Sequence, residues 1–282
     1  MSIKIITDSS SEVREGEFDN VVVLPMLITI DGTEYYDGRD ISKDEFYRLL
    51  ETSDTMPVTS MIAPNRFEEV YEQIRKDGDE AIVLPISASL SSTFQSASLA
   101  AADYEEISVV DTLQATSALY ILVKRCRELI AQGLSRAEIV EILDVEKHQI
   151  VTFGAIDTLK YLQKGGRISK STAIVGGLIG IKPILALEEG KIVMVAKARG
   201  SKQSSVFLNK RIMEFGGIDF ARPYAVGYTG SDPDNLIQYM KDNQNLVDSV
   251  PGEIKMVQTG SAVGTHLGPG AVLVTFFSKG EQ

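Results

Sequence analysis

The side chains able to do chemistry in this 282-residue chain are mostly hydroxyls. Five serines and one threonine stand between Ser87 and Ser96, inside the stretch IVLPISASLSSTFQSASLAA at 82–101. Thr59 and Ser60 lie between Pro57 and Pro64, whose rings restrict the backbone on either side. Asp8 is followed directly by Ser9, Ser10 and Ser11. His266 falls in the glycine-rich run TGSAVGTHLGPG at 259–270, where a titratable ring in a bend suits either a ligand contact or a structural hydrogen bond. Hydroxyls and backbone N–H groups beside a large apolar supply suit a carboxylate head group with an apolar tail. Burying such a head group requires several donors to offset its desolvation.

Other chemistries find less support. Two distant histidines and one cysteine, Cys126, make no zinc cluster. Cys126 sits in an apolar helical pattern and reads as a small core residue. His148, between Lys147 and Gln149 near a helix end, reads as solvated. No serine occupies a G-x-S-x-G elbow, and neither nucleotide-binding glycine loop is present. Asp8 is a candidate carboxylate, although a strand-end Asp often caps a turn.

The elements that must position these groups follow from periodicity. Ile3–Thr7 reads as a strand with Asp8 at its carboxyl end, and Val21–Leu24 and Leu27–Ile30 as further extended segments. Asp31-Gly32 signals a turn that pairs Thr33–Tyr36 back as a hairpin. Ser42 opens a helix to about Thr52. Phe67, Val70, Tyr71 and Ile74 fall at i, i+3, i+4 and i+7 of a helix from Asn65 that closes at Asp77-Gly78. The 82–101 stretch begins as a strand and enters a helix at Ser91 or Ser92, where Ser92 and Gln95 have capping-box spacing. Free N–H groups there favour an anion, though an ordinary capped turn is the simpler account of these residues taken alone. A strand at Ile107–Asp111, helices at Ser117–Gln132 and Ser135–Leu143, and a strand at Val151–Ile156 continue the alternation. That order predicts an α/β domain with a mainly parallel sheet, whose ligands collect outside the carboxyl ends of the strands. Asp8–Ser10, Thr59 and the Ser87–Ser92 loop are thereby expected to share one cleft.

From about Leu159 the pattern changes. The segment Lys164-Gly165-Gly166-Arg167-Ile168-Ser169 is expected to close a short helix with its charges in solvent, and Ser171–Ile181 reads as an apolar helix. Strands at Pro183–Leu187 and Ile192–Ala196, a helix at Ser201–Phe215, strands at Tyr224–Tyr228, Glu253–Thr259 and Ala271–Phe277, and a helix at Asp232–Asp242 predict an α+β domain with an antiparallel or mixed sheet. The expected division is 1–158 and 159–282.

A formal charge of −11 and a sequence pI of about 4.8 disfavour a nucleic-acid partner. The start of the chain shows no basic and apolar leader, and the longest apolar run, Ala173–Ile181, is too short to span a bilayer. A reducing, cytoplasmic setting is the expectation.

Taken together, Thr7-Asp8-Ser9-Ser10, Val58-Thr59-Ser60, Leu90-Ser91-Ser92-Thr93-Phe94, Val110-Asp111-Thr112, Lys164–Ser169 and His266-Leu267-Gly268-Pro269-Gly270 resemble the DegV family over essentially the whole chain. The resemblance implies a non-catalytic fatty-acid-binding protein without a cofactor. Its two α/β domains would bury the acyl chain in a tunnel between them, and some members serve as the acyl-carrying subunit of bacterial fatty-acid kinase. It implies that Thr59, with Ser60, and Ser91, with Ser92, hydrogen-bond the carboxylate. His266 completes that network, and Arg167 docks the kinase subunit. Two departures stand out. Ser92 occupies a usual Gly position, and Met61-Ile62-Ala63-Pro64 replaces a more polar sequence. Two other readings are open. A dihydroxyacetone-kinase-like subunit would use His266 as nucleophile in a small wet pocket. A DNA-binding regulator would use Arg167 with Lys160, Lys164 and Lys170, charges that form a docking face for an acidic partner or an anionic lipid surface more economically.

Overall fold

The computed structural model of the protein describes residues 2–53, 55–168 and 180–280. Its first half runs β1 (Ile3–Asp8), β2 (Val21–Leu24), β3 (Leu27–Ile30), β4 (Thr33–Tyr36), α1 (Lys43–Thr52), β5 (Val58–Ser60), α2 (Pro64–Asp77), β6 (Glu80–Leu84), α3 (Thr93–Ala100), β7 (Ile107–Val109), α4 (Thr116–Ala131) and α5 (Arg136–Glu146). The second half runs β8 (Ile150–Ala155), α6 (Lys160–Lys164), β9 (Ile181–Glu188), β10 (Lys191–Arg199), α7 (Gly200–Glu214), β11 (Tyr224–Tyr228), α8 (Asp234–Asp242), α9 (Gln244–Asp248), β12 (Met256–Gln258), α10 (Ser261–Leu267) and β13 (Val272–Phe277).

Among the described residues the strands form three sheets. A parallel sheet has the order β2-β1-β6-β7, a mixed sheet the order β10-β9-β8-β13-β11-β12, and a small antiparallel sheet the order β4-β3-β5. The fold is mixed α/β, a parallel sheet with a separate mixed sheet, as the alternation predicts. The Asp31-Gly32 turn closes the β3–β4 hairpin, with Ile30 opposite Thr33.

The layers follow from which faces are apolar. Buried Phe67, Tyr71 and Ile74 of α2 and Ala97 of α3 pack on Ile6, Ala81 and Val83 of the parallel sheet. The opposite face of that sheet, through Ile5, Ile82 and Leu84, meets α4, which also touches Ala225, Val257 and Phe277 of the mixed sheet. The first half of α4 is therefore buried all round, with Ala118 to Val123 continuously inside, while Lys124, Arg125, Arg127 and Glu128 give its second half a polar face. Cys126 is buried in this layer, and burial pushes its thiol up to about 12, so it is the small core residue expected. The far face of the mixed sheet, through Val151, Phe153, Val272, Val274 and Phe276, packs on Leu208 and Ile212 of α7 and on Leu236 and Tyr239 of α8.

Three expectations differ from what is found. Strand β8, read as the last strand of the first domain, pairs with β13 and β9 and so belongs to the mixed sheet. The glycine-rich run at 259–270, read as a bend, contains helix α10. The capping box of Ser92 with Gln95 does not form: Ser92 is the N-cap of α3 without a side-chain bond, and the Thr93 N–H goes to Ser91 Oγ at 3.3 Å instead. The helix expected over Ser171–Ile181 and the charge of Lys170 lie outside the described residues, except that Ile181 opens β9.

Candidate functional site

A cavity of about 870 Å³, part of it open to solvent, lies beyond the carboxyl ends of β2 and β6 and against one face of the mixed sheet. Its lining is chiefly apolar with a few polar side chains, the make-up of ligand pockets. Strand alternation builds its floor. Thr152, Gly154 and Ile156 line it while Val151, Phe153 and Ala155 point to the opposite core. Leu185, Leu187 and Leu273 add apolar wall. Gly154 opposes Leu185 on β9 and Leu273 on β13. A Cβ at Gly154 would come within 2.7 Å of Leu273 Cδ2, so the missing side chain leaves room above the sheet.

One end of the cavity is polar. Thr59 is placed by β5, where it opposes Ile28 of β3. Its Oγ1 lies 3.0 Å from His266 Nε2. Ser91 lines the same wall, and its Oγ lies 2.9 Å from Thr93 Oγ1. Ser60 and Arg167 also line the cavity. The Arg167 guanidinium donates from Nε to the Leu90 carbonyl at 3.2 Å and from Nη1 to the Gly165 carbonyl at 2.7 Å. Burial, with the neighbouring Arg167 charge, pushes the His266 imidazole down to about 4, so the ring is neutral at pH 7.

His266 is held there by contacts that no local pattern announces. Helix α10 starts against Asp37, whose Oδ1 accepts from Ser261 N–H at 3.0 Å and whose Oδ2 accepts from Ala262 N–H at 3.3 Å. Glu12 accepts from Gly260 N–H at 2.8 Å and from Lys43 Nζ at 2.6 Å, and Lys43 also donates to the Gln258 carbonyl. Tyr47 of α1 donates to the Thr259 carbonyl at 2.9 Å. Burial pushes the Glu12 carboxyl up to about 7 despite Lys43. A Cβ on Gly264 would lie 2.7 Å from the Tyr47 hydroxyl and 2.8 Å from Phe46, so only glycine lets α10 approach α1 this closely. Gly165 acts the same way toward the ring, since a Cβ there would fall 2.1 Å from His266 Nδ1.

The residues singled out in the sequence thus divide. Thr59, Ser60, Ser91 and His266 converge on one cavity end, joined by Arg167, which the sequence placed in solvent. Ser92 is exposed and does not line the cavity. Asp8–Ser10 also stays outside it. Asp8 is fully buried and accepts from the N–H groups of Ser10 at 2.9 Å and of Ile86 at 2.7 Å, so it latches the β6 loop as the capping reading of a strand-end Asp requires. His148 is exposed and faces Glu189 at 3.1 Å. With Arg167 turned to the cavity, the basic cluster offered for a DNA-binding regulator loses its central member. Among the described residues no group of three or more His, Cys, Asp or Glu could hold a metal ion, and no helix is long and apolar enough to cross a membrane.

An apolar cavity with a hydroxyl, imidazole and guanidinium end, set between a parallel and a mixed sheet, has the polarity that a small amphipathic molecule requires. The family model described as "Uncharacterised protein, DegV family" matches residues 2–279, and the chain belongs to the DegV family. A DegV domain-containing protein of Caldanaerobacter subterraneus subsp. tengcongensis is 34% identical over 281 residues, covering 98% of this chain and 99% of that one. Among solved structures, "Fatty Acid Binding of a DegV family Protein from Thermus thermophilus" superposes with a TM-score of 0.88 at 28% identity, over 99% of this chain and 100% of that one. The fatty acid kinase B3 protein of Streptococcus pneumoniae, loaded with linoleic acid, superposes with a TM-score of 0.84 at 22% identity, over 99% and 100%, a likeness of fold alone.

Proposed function

We propose that this chain is a non-catalytic carrier that binds a long-chain fatty acid in the 870 Å³ cavity and presents its carboxylate to a separate kinase subunit for acyl-phosphate formation. The observation that carries the binding reading is the polarity of the cavity: one end holds Thr59, Ser91, His266 and Arg167, and the remainder is chiefly apolar. The presentation step rests on the family resemblance. Each methylene moved from water into such a cavity contributes about 0.8 kcal/mol, so chain burial supplies the affinity and the polar end fixes the orientation.

The proton on His266 decides how that end works. Among the described residues Nδ1 is buried without a partner, while Nε2 faces Thr59 Oγ1. With the proton on Nε2, the imidazole donates to Thr59 Oγ1, and the Thr59 hydroxyl hydrogen is free to donate to a carboxylate. The other tautomer would consume that hydrogen and turn only lone pairs toward an anion. Arg167 supplies the opposite charge that a desolvated carboxylate needs, from inside the cavity wall. We place the division between the two ligand-enclosing units just before β8 rather than after residue 158.

The small-carbonyl alternative needs a small wet pocket and a free imidazole nitrogen. The cavity is chiefly apolar, Nε2 is engaged with Thr59, and Nδ1, though unpartnered, is buried against Gly165. Native mass spectrometry and solvent extraction of the protein purified from a bacterial host test the reading. A co-purifying long-chain acid, or its stoichiometric uptake on titration, is expected. Absence of both sinks it.

A further inference from the structure

The loop that carries Ser91 is organised by a residue that does not line the cavity. Ser87, just beyond the end of β6, is fully buried and lies behind the cavity wall. Its carbonyl accepts from the N–H groups of Leu90 at 3.0 Å and of Ser91 at 3.2 Å, which closes the turn that ends in Ser91. Its own N–H donates to the Gln114 carbonyl at 2.9 Å, and the N–H of Ala88 donates to Asp111 Oδ1 at 3.1 Å. Those two bonds staple the turn to the loop before α4. The Ser87 hydroxyl accepts from the Ser89 N–H at 3.2 Å and donates to the Gly190 carbonyl at 3.0 Å. Gly190 sits in the turn between β9 and β10, whose Leu185, Leu187 and Ile192 line the cavity. It is buried with φ of 75°, and a Cβ there would overlap Ser87 Oγ, so only glycine lets the hairpin come this close. The same turn presents the Leu90 carbonyl that accepts from Arg167 Nε. One serine therefore ties the loop that holds Ser91 and anchors Arg167 to the mixed-sheet hairpin that walls the cavity.

We propose that Ser87 is a positioning residue for the head-group end: its carbonyl and its hydroxyl bond to Gly190 hold Ser91 and, through Leu90, Arg167 where a carboxylate meets both. This inference rests on the fatty-acid reading and deepens it. Without the hydroxyl, the buried Gly190 carbonyl loses its donor and the turn loses its tie to the hairpin. Hydrogen bonds weaken steeply as their geometry degrades, and those to a carboxylate are the strong ones. Loss of the tie therefore falls on the carboxylate and not on burial of the chain.

The test is calorimetric titration of the wild type and of Ser87→Ala with hexadecanoic acid and with its methyl ester, which share a chain and differ in head-group charge. The expected result is a preference for acid over ester that falls about 10-fold in the variant, the size of one hydrogen bond to a carboxylate. Gly190→Ala, which displaces the same hydroxyl from the hairpin side, should lower the preference too, and the double variant should lose less than the product of the two single effects. If these variants do not fold, hydrogen exchange of the wild type carries the test: the acid, and not the ester, should slow exchange of the Leu90 and Ser91 N–H groups. A preference unmoved by Ser87→Ala, an equal loss for acid and ester, or exchange that the acid slows no more than the ester overturns the positioning role and leaves the fatty-acid reading standing. If neither ligand binds the wild type, both fall.

Discussion

Gly154→Val is the perturbation that most directly tests where the acyl chain runs. Gly154 lies on the cavity floor, two residues from both Ile156 and Thr152, so about 7 Å of strand extends on either side of it. Its Cβ would approach Leu273 Cδ2 to 2.7 Å, a flexible side-chain end that rotation can move. Three added carbons take up the space of about three methylenes of ligand, and at about 0.8 kcal/mol each the loss is roughly 2.4 kcal/mol, on the order of 60-fold in Kd. That loss should fall only on chains long enough to pass residue 154. Overpacking should separately cost about 1–3 kcal/mol of stability, to be measured by thermal melting of the ligand-free protein. The assay is calorimetric titration with a ladder of saturated acids. The variant should match the wild type for short acids and diverge from it with length. An equal loss at every length, or no loss at the longest, would refute the route past Gly154.

Three further outcomes are expected. Thr59→Val and Ser91→Ala should each weaken binding of a long-chain acid by roughly 1.5–3 kcal/mol, the value of one hydrogen bond to a charged group, and unchanged affinity in both would remove those residues from the head-group end. Arg167→Glu, at the residue to which the family resemblance gives the docking of a kinase subunit, should also weaken acyl binding, because it sets a carboxylate against the ligand's own; intact affinity would return Arg167 to a docking role alone. His266, held near 4 in the free protein by burial, is a base whose charged form the fold disfavours, so its contribution to stability is present above pH 6.5 and is lost as pH falls toward 4. A bound carboxylate should raise that value, and an imidazole NMR titration unchanged by ligand would contradict the contact.

Local elements were legible in the sequence, and long-range ones were not. Helix α2 shows its core face at 3.6-residue spacing, the β3–β4 hairpin its two-residue turn, and β6–α3 its strand-to-helix transition. The sheet to which β8 belongs is decided by pairing with β13, more than a hundred residues later, which no pattern within β8 encodes. Glycines at 260, 264, 268 and 270 lower helix propensity and make the segment of α10 look like a bend. Tertiary contacts override that: Gly264 makes room for Phe46 and Tyr47, and Asp37 caps the helix from 224 residues away. The proposed head-group roles of Thr59, Ser91 and His266 rest on the resemblance, since their hydroxyls and ring alone fit capped turns equally well. The inward turn of Arg167 was missed because its anchors are backbone carbonyls of Leu90 and Gly165, which any sequence supplies. The stretch at 82–101 keeps its place as one wall of the cavity, but through Ser91 and not Ser92.

The central claim is that a fatty acid lies with its carboxylate at the Thr59–His266 end and its chain over Gly154. A crystal structure of the protein with a bound long-chain acid tests it most directly. Elongated density with the carboxylate within hydrogen-bonding distance of Thr59 Oγ1 and Ser91 Oγ, and the chain passing Gly154 toward Thr152, is the predicted result. An empty cavity at saturating acid, or a carboxylate seated at the Thr152 end, would contradict it.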